Sequence, residues 1–183
     1  MKKVILMMVV AVFCIATANA QLNVGANIGT QISTEDDGST GFGFGVNAEY
    51  LIMPNIGLGA NIGYYIMDRE KEDGVTTTVY IMPFTLTGKY YFLTDNFRPY
   101  AGVDLGLYTL GVRSSGKEDG FSFSASYSDT KFGLGPVAGF QFGLSDNLAL
   151  DVNAKYSHVF VEGESTGFVG INAGIVYKFN FGK

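Results

Sequence analysis

Side-chain character alternates with a period of two along almost the whole chain from Leu22 onward. Successive residues of a β-strand point to opposite faces, so the alternation sorts the chain into two rows. In the stretch FGFGVNAEYLI one row reads Phe42, Phe44, Val46, Ala48, Tyr50 and Ile52, while the other reads Gly43, Gly45, Asn47, Glu49 and Leu51. The first row continues through Leu22, Val24, Leu58, Ile62, Leu86, Leu105, Leu150 and Ile175 without one Asp, Glu, Lys or Arg. The second continues through Asn23, Gly25, Gly57, Asn61, Gly102, Gly133, Asn153 and Gly174. A soluble barrel turns its apolar row inward and covers its outside with Lys, Glu and Thr. The polar row here is mostly Gly and Asn, too small for a solvent face, so it fills a narrow interior and the bulky row meets lipid. In lipid every backbone polar group must be paired within the protein, so such a sheet has to close.

The rows divide into eight predicted strands, at 22–33, 41–53, 56–67, 77–93, 99–112, 131–144, 148–160 and 168–181. Connections after the second, fourth and sixth are short: Met53-Pro54-Asn55, residues 94–98 and Ser145-Asp146-Asn147. Those after the first, third, fifth and seventh are longer and polar, at 33–40, 68–74, 113–130 and 161–167. Short turns at one end and long loops at the other give an all-β, eight-stranded antiparallel up-and-down transmembrane barrel, with short periplasmic turns and longer extracellular loops. Tyr50, Tyr90, Phe92, Phe142, Tyr177 and Phe179 fall near the short-turn end, and Phe42, Tyr64 and Phe132 near the other, as two interfacial girdles. Pro83 and Pro136 fall mid-strand, where the missing ladder donor predicts a bulge.

Residues 1–20 read as a cleaved signal peptide: Lys2 and Lys3, an apolar run from Val4 to Ala16, and the cleavage site Ala18-Asn19-Ala20. Residues 21–183 form the barrel domain. The single cysteine, Cys14, lies in the leader, so the exported chain has no disulfide, thiol chemistry or cysteine-ligated metal. Removing the leader takes away two lysines and no acid, leaving 10 Lys+Arg against 17 Asp+Glu, a net charge of −7. Nucleic acid is excluded as a partner on that balance.

The inward row carries Glu49, Asp104 and Asp151 against Lys89, Lys155 and Lys178, which sum to zero. Charges in so small a lumen must pair or keep water. The expected network pairs Glu49 with Lys89, and Asp104 or Asp151 with Lys155. Asp95, Arg98, Asp146 and Lys183 belong to the short turns and tail and also cancel. The long loops therefore hold the whole charge of −7, through residues such as Glu35, Asp36, Asp37, Glu70, Glu72 and Asp73. This acidic rim suits a surface ligand, or divalent cations shared with lipopolysaccharide phosphates.

Catalytic signals are thin. The run GFGFG at 41–45 lacks the strand-to-helix context of a phosphate-binding fingerprint. His158 beside Ser157 is the one pair that suggests nucleophilic chemistry. No cofactor or metal site is implied.

The signal peptide, the eight alternating strands, PFTLTGKYYFLTDNFRPYAGVDLGLY at 83–108 and the closing NAGIVYKFNFGK at 172–183 resemble the small outer-membrane β-barrel family, the OmpX/OmpA-like and opacity-protein-like group. The resemblance covers the whole exported chain. It implies an outer-membrane location, contact with outer-membrane lipid and lipopolysaccharide, and insertion by the barrel-assembly machinery. Members commonly end on an aromatic that this machinery reads; here Tyr177, Phe179 and Phe181 precede Gly182 and Lys183. The length leaves no room for a periplasmic peptidoglycan-binding domain. The first functional reading is a non-enzymatic barrel with structural or surface-interaction duties and a lumen plugged by polar and charged side chains. The alternative is a narrow porin-like channel or carrier for small or hydrophobic solutes, since glycines leave space. A lipid-modifying enzyme built on His158 is the third.

Overall fold

A computed structural model of the protein describes residues 21–35, 38–72, 75–118, 121–161 and 164–180. The leader, with Asp36, Asp37 and Asp73 of the acidic loops, lies outside the described residues. Eight strands follow in order: β1 (Gln21–Ser33), β2 (Thr40–Met53), β3 (Ile56–Glu72), β4 (Val75–Tyr91), β5 (Phe97–Glu118), β6 (Phe121–Gly143), β7 (Leu148–Val161) and β8 (Glu164–Asn180). Each pairs antiparallel with its sequence neighbour, and β1 pairs with β8, so the sheet closes into a barrel without a lipid-exposed edge.

The pairing register fixes the barrel's dimensions. A row followed from Gln21 through Leu51, Gly57, Lys89, Gly102, Val137, Lys155 and Gly170 comes back to β1 at Gln31, ten residues further on. With eight strands and that stagger, the usual strand spacing and rise give a tilt of about 40° from the barrel axis.

The two rows face as the alternation predicts. Phe42 and Phe44 are each 61% exposed, and Val46, Leu58, Leu86, Val103 and Ile171 are exposed on the same outer surface. Between them Gly43, Gly45 and Glu49 are buried toward the axis. Among the described residues no helix is long and apolar enough to cross a membrane; the crossing elements are the strands. Aromatic pairs ring both ends of the belt. Tyr90–Phe92, Phe97–Phe140 and Tyr177–Phe179 lie toward the short turns. Phe44–Tyr64–Tyr80 and Phe132–Phe160 lie toward the opposite end.

Three expectations need correction. The segments at 68–74 and 113–130 are not open loops: β3 and β4 stay paired out to Glu72 and Val75, and β5 and β6 out to Glu118 and Phe121. Residues 68–72 are all charged, and residues 123–130 are all exposed, so even the alternation at Phe121–Ser128 has no buried face to set it against. The prolines do not create bulges. The β3–β4 register is the same on either side of Pro83, as is the β6–β7 register around Pro136; each proline interrupts the ladder without shifting it. The register shifts fall instead between Leu51 and Met53 and between Ile66 and Asp68. Finally, Arg98 is not a turn residue. Strand β5 begins at Phe97, and the parity that sends Asp104 inward sends Arg98 inward too, where it is buried.

Candidate functional site

The inward row builds three levels inside the barrel. At the short-turn end lies a charged and aromatic floor. Glu49, 3% exposed, accepts hydrogen bonds from the Tyr91 hydroxyl at 2.7 and 2.9 Å and from Asn23 Nδ2 at 3.2 Å. Lys89 Nζ lies 3.5 Å from Glu49 Oε1 and 4.6 Å from the centre of the Tyr100 ring. The Tyr91 and Tyr100 rings pack at 5.3 Å, and the Arg98 guanidinium covers Tyr91 at 4.2 Å. Arg98 Nη2 donates to the Pro54 carbonyl at 3.1 Å, which ties the floor to the β2–β3 turn. Tyr100 donates to the Asp151 carboxylate at 3.1 and 3.3 Å. Leu51 and Val137 complete the packing.

The middle level is made of amides and hydroxyls. Asn61 Nδ2 donates to Thr87 Oγ1 at 2.7 Å. Tyr65 donates to Asn172 Oδ1 at 2.8 Å, Asn172 Nδ2 to Asn153 Oδ1 at 3.1 Å, and Asn153 Nδ2 to Asp151 Oδ1 at 2.9 Å. Every donor in that column points the same way, and the chain ends on a carboxylate. Asp104 Oδ2 faces Lys155 Nζ at 4.0 Å. Among these groups is a cavity with about 40 Å³ of water-accessible space, bordered by Asn27, Asn47, Asn61, Asp104 and Lys155. That is room for a few water molecules.

The third level is apolar. Tyr65, Met67, Ile81, Tyr108, Val159 and Phe168 form one buried cluster, with Val79, Leu110 and Val161 against it. Tyr108 donates to Ser157 Oγ at 3.0 Å. This ceiling is invisible in a reading of the inner row as small and polar.

The glycines do not leave the lumen empty. Several receive a large neighbour: a Cβ on Gly57 would lie 2.5 Å from Glu49 Oε1, one on Gly63 2.7 Å from Tyr65 Cε2, and one on Gly133 2.8 Å from Tyr108 Cε2, while at Gly102, Gly106 and Gly135 the close atoms are backbone of the adjacent strand. Small residues here are sockets for the side chains that occupy the axis.

Of the six lumenal charges named from the sequence, Glu49 and Lys89 come together, as do Asp104 and Lys155. Asp151 meets Tyr100 and Asn153 rather than a lysine. Lys178 is half-buried near the short-turn end, and among the described residues no carboxylate lies within ion-pair distance of it. Sequence reasoning missed Arg98, Tyr91 and Tyr100. The signal was parity: Tyr91 sits two residues from Lys89, and Arg98 and Tyr100 continue the row of Asp104. Glu35, Glu70 and Glu72 are exposed, and among the described residues no three acidic or histidine side chains are grouped to hold a metal ion. His158 and Ser157 point to opposite faces of the wall. Ser157 is buried in the lumen under Tyr108, while the His158 ring packs edge-on against Phe160 at 4.8 Å on the outside. They form no catalytic pair.

Residues 5–179 match the model of the outer membrane protein beta-barrel domain. The virulence membrane protein PagC of Salmonella typhimurium is 33% identical over 94 residues, which cover 51% of this chain and 49% of PagC. A Haemophilus influenzae protein without an assigned role is 32% identical over a stretch of the same length. The chain thus spans about half the length of the curated relatives it matches. In fold it is similar to Neisserial surface protein A (NspA), with a TM-score of 0.64 at 21% identity, over 86% of this chain and 97% of NspA. It is also similar to the Yersinia pestis attachment invasion locus protein Ail, solved with the heparin analogue sucrose octasulfate, with a TM-score of 0.59 at 15% identity, over 88% of this chain and 100% of Ail.

Proposed function

The chain belongs to the outer membrane protein beta-barrel family, and from that premise we propose that it is an occluded barrel of the outer membrane whose working surface is its rim. Export by residues 1–20 and assembly through the outward aromatics Tyr177 and Phe179 are part of this reading. The observation that supports it is that inward side chains pack together at two levels of the lumen. The floor of Glu49, Tyr91, Arg98 and Tyr100 and the ceiling of Tyr65, Tyr108 and Phe168 lie on either side of a cavity of only about 40 Å³. Ions would have to cross a packed apolar layer, where an unpaired charge is costly.

The rim then carries what function there is. PagC is described as a virulence membrane protein, which fits a role at the cell surface. Ail was solved with a sulfated sugar; the acidic rim of this chain suits a neutral or basic partner better than a polyanion. No enzymatic step is assigned, because His158 and Ser157 are separated by the barrel wall.

The test is conductance in a planar bilayer. The expected record is flat at moderate voltage. Steady, reproducible unitary openings would replace this reading with that of a narrow channel.

A further inference from the structure

With Arg98 turned inward, the lumen holds four cations, Lys89, Arg98, Lys155 and Lys178, against three acids, Glu49, Asp104 and Asp151. Each acid is already engaged. Glu49 takes Tyr91, Asn23 and Lys89, Asp104 faces Lys155, and Asp151 takes Tyr100 and Asn153. The two cations left over belong to the same end of the barrel. Arg98 is the second residue of β5, and Lys178 is the third from the end of β8. Both are tied to short turns: Arg98 Nη2 donates to the Pro54 carbonyl at 3.1 Å, and the Lys178 backbone N–H donates to the Asn147 carbonyl at 2.8 Å.

Arg98 is 5% exposed. A charge so buried is costly unless another charge cancels it. The Tyr91 ring and the Pro54 carbonyl offset part of that cost, but neither carries a net charge. Nε is sealed in without a partner, which leaves Nη1 as the nitrogen open to a ligand. Lys178 is half-buried, and near enough for the Arg98 charge to act on it. Among the described residues no carboxylate lies within ion-pair distance of either cation. The acids of the neighbouring turns, Asp95 and Asp146, are exposed. Two neutral acceptors stand opposite the cations in the register, Asn23 Oδ1 across from Lys178 and Gln141 Oε1 across from Arg98, and both are buried without a donor. Neither cation is spent on them.

We infer that Arg98 and Lys178 form an oxyanion site in the short-turn mouth of the barrel, which takes a phosphate group from the periplasmic side. A guanidinium offers planar, directed donors to a phosphate, and an ammonium adds a point charge from a second direction. Two positive charges balance a phosphate dianion, whereas a single carboxylate would leave one of them uncancelled. The two residues face the lumen. Phe97, Tyr177 and Phe179 are on the outer face of the same strand ends, between the pair and the lipid. A soluble phosphate reaches the site directly through the mouth, while a lipid headgroup has to fold in around a turn. A bound phosphate would link β5 to β8 across the mouth and supply the counter-charge that the lumenal acids do not.

This site does not depend on the lumen being occluded, since the anion enters and leaves on one side, and its test reads no conductance. The full-length protein in maltoside micelles, which hold no phosphate, is titrated with inorganic phosphate at fixed ionic strength. The NMR signals of the Arg98 Nε–H and the Lys178 backbone amide report occupancy. A saturable shift of both is expected, with no such shift when chloride replaces phosphate. Lys178→Met keeps the length of the side chain and removes its charge, and should weaken binding about tenfold. Lys178→Arg should restore it, which separates lost charge from a damaged fold. A second arm places the protein in phosphatidylglycerol nanodiscs without free phosphate. The same shift there keeps the site and gives it a lipid headgroup as its source; its absence there, with a shift in micelles, assigns the site to a soluble phosphate. No shift in either medium, an equal shift with chloride, or unchanged binding by Lys178→Met overturns the proposal.

Discussion

The Tyr91 hydroxyl is shared between both carboxylate oxygens of Glu49, at 2.9 and 2.7 Å. The same carboxylate faces Lys89 at 3.5 Å and Asn23 at 3.2 Å, so one acid holds β1, β2 and β4 together at the floor. Tyr91→Phe deletes one donor and leaves the others, at a cost of about 1–3 kcal/mol. Glu49→Ala leaves Lys89 buried without its counter-charge, at a cost of about 3–5 kcal/mol. Urea unfolding in phospholipid vesicles should rank the two variants in that order. A neutral Glu49→Ala would show that Lys89 is satisfied elsewhere.

The Tyr65 ring lies across Gly43 and Gly63, each of which would bring a Cβ within 2.7 Å of a ring carbon. Gly63→Ala should push the ring off its socket, break the bond to Asn172, and destabilise by about 1–3 kcal/mol. Gly88→Ala is the control, since its Cβ would meet only Leu58 Cδ2 at an ordinary 3.8 Å. Thermal unfolding followed by gel mobility separates the pair.

On the proposed occluded reading, two closures in series predict a non-additive result. Cutting the floor with Tyr91→Ala and Arg98→Ala leaves the apolar ceiling shut, and cutting the ceiling with Tyr108→Ala and Phe168→Ala leaves the floor shut. Single-channel recordings should show openings only when both sets are combined. Conductance from the floor variant alone would mean that the ceiling does not seal.

Val46 sits midway along β2 on the outer surface, beside Ala26 and Ile62. Val46→Arg places a charge near the centre of the lipid belt, where the cost is about 2–4 kcal/mol. The expected outcome is a matching fall in unfolding free energy in bilayers. An unchanged value would argue that this face does not meet hydrocarbon.

How much of this was legible in the sequence differs from residue to residue. The outer row of Phe42, Phe44 and Val46 announces itself because lipid tolerates no charge, so the contrast between rows is sharp. Glu49, Asp104 and Lys155 stand out for the converse reason, as rare charges among glycines and asparagines. Partner choice was less visible. Asp151 and Asp104 are equivalent candidates for Lys155 in the sequence, and only the register of β5 on β6 and of β6 on β7 brings Asp104 to it, one strand away. Tyr90 and Tyr91 are adjacent and identical in type, so composition is silent on which faces lipid; strand parity counted from Lys89 answers it. The extension of β5 and β6 beyond the rim was harder to see: Phe121 to Ser128 alternates, but residues 123–130 are all exposed, so no contrast between a lipid row and a lumen row marks it.

The one-directional column from Tyr65 through Asn172 and Asn153 to Asp151 joins β3, β8 and β7, with its first bond spanning 107 positions of the chain. Its last two bonds lie within β7 and between β7 and β8, but the first, from Tyr65 on β3 to Asn172 on β8, can form only when the sheet has curled round to bring its two ends together. An incompletely closed sheet would present that polar row to hydrocarbon, with nothing to satisfy it. The interior is thus a test of completion: a barrel one strand short is penalised on its inside as well as along its open seam, and the finished wall is the first state in which both are at rest.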